Sequence, residues 1–180
     1  TFKVNSLGLS ATIITAMTFV GLGARAIFSI PFGKLTDKTS YITSIIVGLF
    51  LRVGSFLILI FCSNETWFLF FGYIILADVS SAGTGMNFNN IIYSYVDPKY
   101  YAEAASLKNA CKGLGSFFGA LIGAAVLNLF GDEGIKFLGF DHFYCQQALS
   151  IISAVCVVIC IINVQSSAIA ELFVIFSKYL

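Results

Sequence analysis

The sequence predicts an all-α fold, a polytopic transmembrane helix bundle of five spans, and three observations predict it. Hydrophobic residues make up 58% of the 180 positions and charged residues 11%, with a mean hydropathy of +0.93. Soluble chains carry roughly a quarter charged residues, and a chain of this length could not hide so much apolar surface in one core. Apolar runs of the length that crosses a bilayer, about 20 residues, recur at 9–32, 41–62, 66–91, 107–130 and 146–165. The connections between them are short and polar, and Lys and Arg concentrate on alternate ones.

The first span, 9–32, carries Arg25 and Pro31, and Gly33 is expected to stop it abruptly. The connection Gly33-Lys34-Leu35-Thr36-Asp37-Lys38-Thr39 is too short to cross anything, so it must return the chain at one membrane face. The second span, 41–62, carries Arg52. The third, 66–91, carries Asp78 and then Asn87, Asn89 and Asn90, ahead of Tyr93. A polar stretch, 92–106, leads to the fourth span, 107–130, with Gly113, Gly115, Gly119 and Gly123. The connection 131–145 includes Asp141 and the only histidine, His142. The fifth span is 146–165. Residues 1–165 thus form one bundle, and 166–180 is expected to be an amphipathic tail, with Ile169, Leu172, Phe173, Phe176 and Leu180 at helical spacing on the inner membrane face.

Charge fixes the expected orientation. One side of the membrane collects Lys34, Lys38, Lys99, Lys108, Lys112 and Lys178, and the other only Lys3 and Lys136. The positive-inside rule makes the first side cytoplasmic. The protein is therefore expected in the cell (inner) membrane, multi-pass, with the N-terminus of this stretch outside and its C-terminus inside. Trp67 and Tyr144 fall at outer span ends, where interfacial aromatics belong. The chain opens Thr1-Phe2-Lys3 without a starting Met or signal-peptide organisation, and is read as the C-terminal part of a longer protein. The net charge of +1 offers no basic patch for nucleic acid. The five cysteines lie mostly in apolar segments with no second Cys/His cluster, so they read as small buried hydrophobes rather than metal ligands.

Charges inside spans are costly and mark sites. Asp78 enters its helix to a depth of about 18 Å, near the bilayer midplane, and Arg52 reaches a comparable depth from the other side. They read either as a solute or proton site or as a structural ion pair with each other. Arg25 reads as a snorkelling side chain near the inner end of its span. Asn87 and Asn90 suit a half-aqueous path for a polar solute, and interhelical hydrogen bonding explains them equally. The four-residue spacing of Gly115, Gly119 and Gly123 is that of close helix packing. Asp37, an acid on a basic face, could accept hydrogen bonds from the N–H groups opening the helix after Glu103, or stand solvated in its turn. No Ser/His/Asp set, metal-ligand spacing or phosphate loop is present, Gly83-Thr84-Gly85 being too short and inside a span. No enzyme and no cofactor is expected.

Gly33-Lys34-Leu35-Thr36-Asp37-Lys38 resembles the cytoplasmic loop motif of the major facilitator superfamily, in which Gly is followed by a small residue, Asp and a basic residue. Thr39-Ser40-Tyr41 lacks the motif's later Gly and basic residues, as its second, degenerate copy does. Tyr95-Val96-Asp97-Pro98-Lys99-Tyr100, followed by Ala105-Ser106-Leu107-Lys108-Asn109, resembles the family's loop between helices ten and eleven. The resemblance covers nearly the whole chain except the tail, and implies a partial major facilitator fold, about helices eight to twelve. It further implies a secondary transporter working by alternating access on a small-molecule solute, with Gly33, Asp37 and Lys38 in a gating loop. Asp37 would cap the eleventh helix in one conformation and release it in another. The missing N-terminal half of the same chain would supply the other wall of the site, and protons the drive, with sodium as the alternative ion. A channel subunit, an assembly factor or an intramembrane enzyme are the competing classes.

Overall fold

The computed structural model of the chain describes residues 10–62, 66–130, 135–137, 140–143 and 145–179. Five helices long and apolar enough to cross a membrane follow one another: α1 (Ala11–Lys38), α2 (Tyr41–Ile60), α3 (Phe68–Tyr95), α4 (Tyr101–Phe130) and α5 (Cys145–Tyr179). A 3₁₀ turn, Pro98–Tyr100, precedes α4. Two short strands, β1 (Ile135–Phe137) and β2 (Phe140–Phe143), form an antiparallel hairpin between α4 and α5, pairing Ile135 with Phe143 and Phe137 with Phe140. The bundle is all-α as expected; the hairpin is an addition that the apolar pattern did not signal. Of the groups expected on the outer side, Lys3 and Tyr144 lie outside the described residues.

The helices overrun the expected spans, mostly at the ends expected to face the cytoplasm. Gly33 does not stop α1, which runs through Pro31 and on to Lys38. Proline removes one backbone donor, but the turns beyond it are pinned by contacts that the sequence pattern does not display. Phe32 is buried with Val79 and Ala82 of α3, Leu35 packs on the same cluster, and Thr36 donates to Asn87 Oδ1 at 3.1 Å. Only Thr39 and Ser40 remain between α1 and α2. The Thr39 amide and hydroxyl both donate to the Leu35 carbonyl, at 3.0 and 2.7 Å, and the Ser40 hydroxyl caps α2 by accepting from the Ile42 amide at 3.1 Å. Likewise α3 continues to Tyr95 and α4 starts at Tyr101, leaving little of the expected loop 92–106. An α-helix satisfies its backbone internally, so nothing obliges it to end where the hydrocarbon does. With 35 residues, α5 continues unbroken past position 166. At about 1.5 Å per residue it is longer than a hydrocarbon core of about 30 Å.

Helix α3 is the centre, packing on α1 and on α2, while α5 packs on the far side of α2 and α4 touches α3 and α5 lightly. In lipid, apolar side chains gain little by leaving one hydrocarbon for another, so close backbone approach and buried polar contacts hold helices together. The α2–α3 seam follows that rule. Ser44, Ser55 and Ser80 are fully buried, and the Ser80 hydroxyl donates to the Gly48 carbonyl at 2.8 Å. A methyl group at position 48 would stand 2.9 Å from Thr84 Cγ2 and 3.1 Å from the Ser80 carbonyl. At the outer end Met17, Leu59, Cys62, Phe70 and Ile74 form a cluster joining all three helices. Gln147 of α5 donates to the carbonyls of Ile60 and Cys62 at 2.8 and 3.2 Å, tying α5 to the exit of α2. The outward surface is apolar to a degree that water would not tolerate: Phe19 is 69% exposed, Ile27 67% and Leu107 67%. This surface suits acyl chains.

Candidate functional site

Asn87 is the polar junction of the inner half. Its side-chain amide donates to Ser44 Oγ of α2 at 2.8 Å and to the Gly83 carbonyl one turn back at 2.6 Å, while its carbonyl accepts from Thr36 Oγ1 of α1. One buried residue thus binds α1, α2 and α3 together, with both amide hydrogens and the oxygen committed. Of the two readings the sequence left open for Asn87, interhelical bonding is the one this geometry displays.

Beside that junction a pocket of about 230 Å³ opens, lined by Phe32, Gly33, Thr36, Asp37, Tyr41, Met86, Asn87 and Asn90, with Ala82 at its base. The structure therefore brings Gly33 and Asp37 of the motif together with Asn87 and Asn90, which the sequence had assigned to a separate solute path. Asn90 is half-buried and borders the same space. Asp37 is exposed and has no hydrogen bond or ion pair among the described residues. It does not cap α4 here; the acid in the first turn of α4 is Glu103. Lys34 and Lys38 are exposed in the last turns of α1, where positive charge suits the helix dipole and Asp37 does not.

The intramembrane charges do not pair as the sequence allowed. Arg52, twelfth of the 20 residues of α2, donates from Nη1 to the Ala77 carbonyl at 3.2 Å and lies over the Phe56 ring at 5.3 Å. Asp78 turns instead to α1: a methyl group at Gly21 would overlap its Oδ2. No ion pair joins Arg52 to Asp78. The carbonyl and the ring engage the guanidinium without the carboxylate, and Asp78 faces α1 instead. Arg25 is fifteenth of the 28 residues of α1, which runs on beyond the expected span to Lys38. Its guanidinium lies against Gly85 of α3, with Nη2 at 3.4 Å from where a side chain there would begin.

On α4 the glycine stripe meets nothing among the described residues. A methyl group at Gly115, Gly119 or Gly123 would find no atom of the described residues within 4 Å. The tight small-residue packing is elsewhere, at Gly48 and at Gly83, where a methyl group would stand 2.5 Å from the Phe32 ring. The sequence did hold that signal, in the four-residue spacings Ser44–Gly48 and Ser80–Thr84, but they lacked a run of glycines to draw attention. At the inner ends of α3 and α4, Tyr101 donates to the Tyr93 carbonyl at 2.9 Å and Lys108 donates to Asn89 Oδ1. His142 falls in β2, and its side chain lies outside what is described. Among the described residues no group of three or more His, Cys, Asp or Glu is placed to hold a metal.

Comparison with known proteins gives one match. The family model of the Major Facilitator Superfamily matches residues 2–172. Neither curated proteins nor solved structures returned a match.

Proposed function

Since the chain belongs to the major facilitator superfamily, and is a multi-pass membrane protein of the transporter class, we propose that it works as part of a proton-coupled secondary transporter using alternating access. The observation that carries the coupling is Asp78. Its carboxylate stands near the middle of α3, eleventh of 28 residues, without a hydrogen bond or ion pair among the described residues. An acid at that depth is retained only where it faces water or a partner, and one that can load and release a proton is the simplest coupling element. Arg52 holds α3 by the Ala77 carbonyl and does not neutralise Asp78.

The gating role proposed for Gly33, Asp37 and Lys38 is supported by a mismatch. An acid in the last turn of a helix opposes the dipole, and Asp37 has no compensating partner among the described residues in this conformation. A state in which it meets the amides opening α4 relieves that opposition. The two states would differ in stability by differential contacts of this kind. The glycine stripe of α4 and the lipid-like outer surface divide the remaining faces: the stripe accepts helices of the missing N-terminal half of the same chain, and the Phe- and Ile-rich faces meet lipid. The Lys-rich helix ends, with Lys34, Lys38, Lys99 and Lys108, face the cytoplasm of a cell whose inner membrane holds the protein.

The test uses the full-length protein in proteoliposomes, with a solute chosen by its ability to raise the protein's thermal stability. An imposed proton gradient drives that solute above its equilibrium concentration, a protonophore abolishes the accumulation, and Asp78→Asn does the same. Accumulation that survives in Asp78→Asn would remove Asp78 from the coupling step. Uptake that never exceeds equilibrium would remove active transport altogether.

A further inference from the structure

Two opposite charges on α1 and α3 are left without partners on one shared face. Asp78 Oδ2 sits over Gly21, and the Arg25 guanidinium sits against Gly85. Gly21 is one turn outward of Arg25 on α1, and Gly85 is two turns inward of Asp78 on α3, so the two charged heads stand at different depths along the same seam. Neither has a hydrogen bond or ion pair among the described residues. Arg52, the remaining charge at that depth, is engaged by the Ala77 carbonyl and the Phe56 ring. Asp78 is half-buried and Arg25 exposed. Charges at such depth are costly against acyl chains and are kept where they face the bundle interior or a water-filled cavity.

The spacing narrows what can fill it. Seven residues of α3 separate the Asp78 and Gly85 levels, roughly 10 Å at about 1.5 Å each. A charge-assisted hydrogen bond of about 2.8 Å at either end leaves roughly 4–5 Å between the charges of an occupant that bridges them. We propose that the α1–α3 face binds a small zwitterion, its ammonium on Asp78 toward the outside and its carboxylate on Arg25 toward the cytoplasm. The planar guanidinium suits the carboxylate, offering two parallel donors. Gly21 suits the acid, since any side chain there would displace the Asp78 carboxylate, and Gly85 leaves the Arg25 guanidinium in ordinary contact with α3. This rests on the transporter reading above and adds to it a substrate class and a residue, Arg25. Proton and ammonium then compete for one carboxylate, so that release of one accompanies binding of the other.

The experiment is thermal unfolding of the purified full-length protein with glycine, β-alanine, 4-aminobutyrate and 5-aminovalerate, each beside its N-acetyl and its amide derivative. The free zwitterions raise Tm in a concentration-dependent way, most strongly for β-alanine or 4-aminobutyrate, and removing either charge removes the effect. Arg25→Gln and Asp78→Asn each weaken the binding about tenfold or more, which is about 1.4 kcal/mol, and Arg25→Lys retains the preference at lower affinity. Derivatives that stabilise as well as the zwitterions overturn the proposal, as does unchanged binding in Arg25→Gln. Absence of any shift overturns it too, and is what direct pairing of Arg25 with Asp78 in another conformation would give. The comparison in the unmodified protein decides even where a variant does not fold. Gradient-driven uptake of a solute that is not zwitterionic, with no zwitterion shift, removes this proposal and leaves the transporter standing. Zwitterion binding without gradient-driven uptake of any solute does the reverse.

Discussion

Replacing Asn87 with alanine removes the one side chain that ties α1, α2 and α3 together. Two of its three hydrogen bonds cross between helices, to Thr36 and to Ser44, and the third returns to Gly83 within α3. Interhelical hydrogen bonds in membranes average about 0.6 kcal/mol, with a maximum near 1.7. The burial at this site argues for the upper half, because Ser44 is completely enclosed and its hydroxyl would lose an observed partner. Thr36 is less affected, since it also donates to the Phe32 carbonyl at 2.8 Å. Adding the space left by the amide, the loss should come to about 2–3 kcal/mol. Unfolding of the full-length protein in mixed micelles of mild detergent and dodecyl sulfate measures it, with Ser44→Ala and the double variant closing a cycle. A coupling near 1 kcal/mol between positions 87 and 44 is expected. A loss under about 0.5 kcal/mol, accompanied by weakened solute binding, would mean that Asn87 serves the solute path and that its bonds are incidental.

Three further outcomes are expected from the same contacts. Gly48→Val should cost about 1–3 kcal/mol in that unfolding assay, since Thr84 and the Ser80 backbone leave no room. Gly119→Ala, which meets nothing among the described residues, should destabilise the full-length protein only through the helices proposed to cover the stripe, so an unchanged stability there would argue against that cover. Just beyond the outer end of α2, burial pushes the Cys62 thiol up from its ordinary value, against a smaller lowering by the Phe70 amide. Its maleimide labelling should therefore stay slow as pH rises through the range where an open cysteine becomes thiolate, and quicken only above it or on denaturation. Asp37→Ala should slow transport without altering which solute is preferred; a change in preference would place Asp37 in the solute site instead of the gate.

The spans were legible because the bilayer imposes a length on apolar runs, and each of the five apolar runs in the sequence falls on one helix. What the pattern could not show is where helices end. Hydropathy marks the hydrocarbon boundary, whereas Lys38 and Tyr101 owe their helical state to Phe32, Leu35, Thr36 and a 3₁₀ turn. The level of Arg25 along α1 was legible but its neighbour was not: that its guanidinium lies beside Gly85 of α3 depends on how the two helices pack. Asp78 was legible as a costly charge, but the helix it faces was not. A sequence states depth along a helix well and azimuth poorly, so Arg52 and Asp78 shared a level without sharing a direction. Gly115, Gly119 and Gly123 were legible as a face, yet nothing in the stripe says which helix lies against it. The contacts at Gly48 depend on Ser80 and Thr84 arriving from α3, which no local pattern announces.

The light attachment of α4 bears on how the protein is made. A helix that satisfies its own backbone can enter the bilayer and persist there alone, and α4, with Leu107, Leu114, Phe117 and Phe118 exposed, finds few neighbours among α1 to α3. Those three helices share the Asn87 junction and the Gly48 seam without it, and α5 can fasten itself to the end of α2 through Gln147. Among these five helices the order of seating is therefore not the order in the chain: α4 precedes α5 and is expected to settle after it.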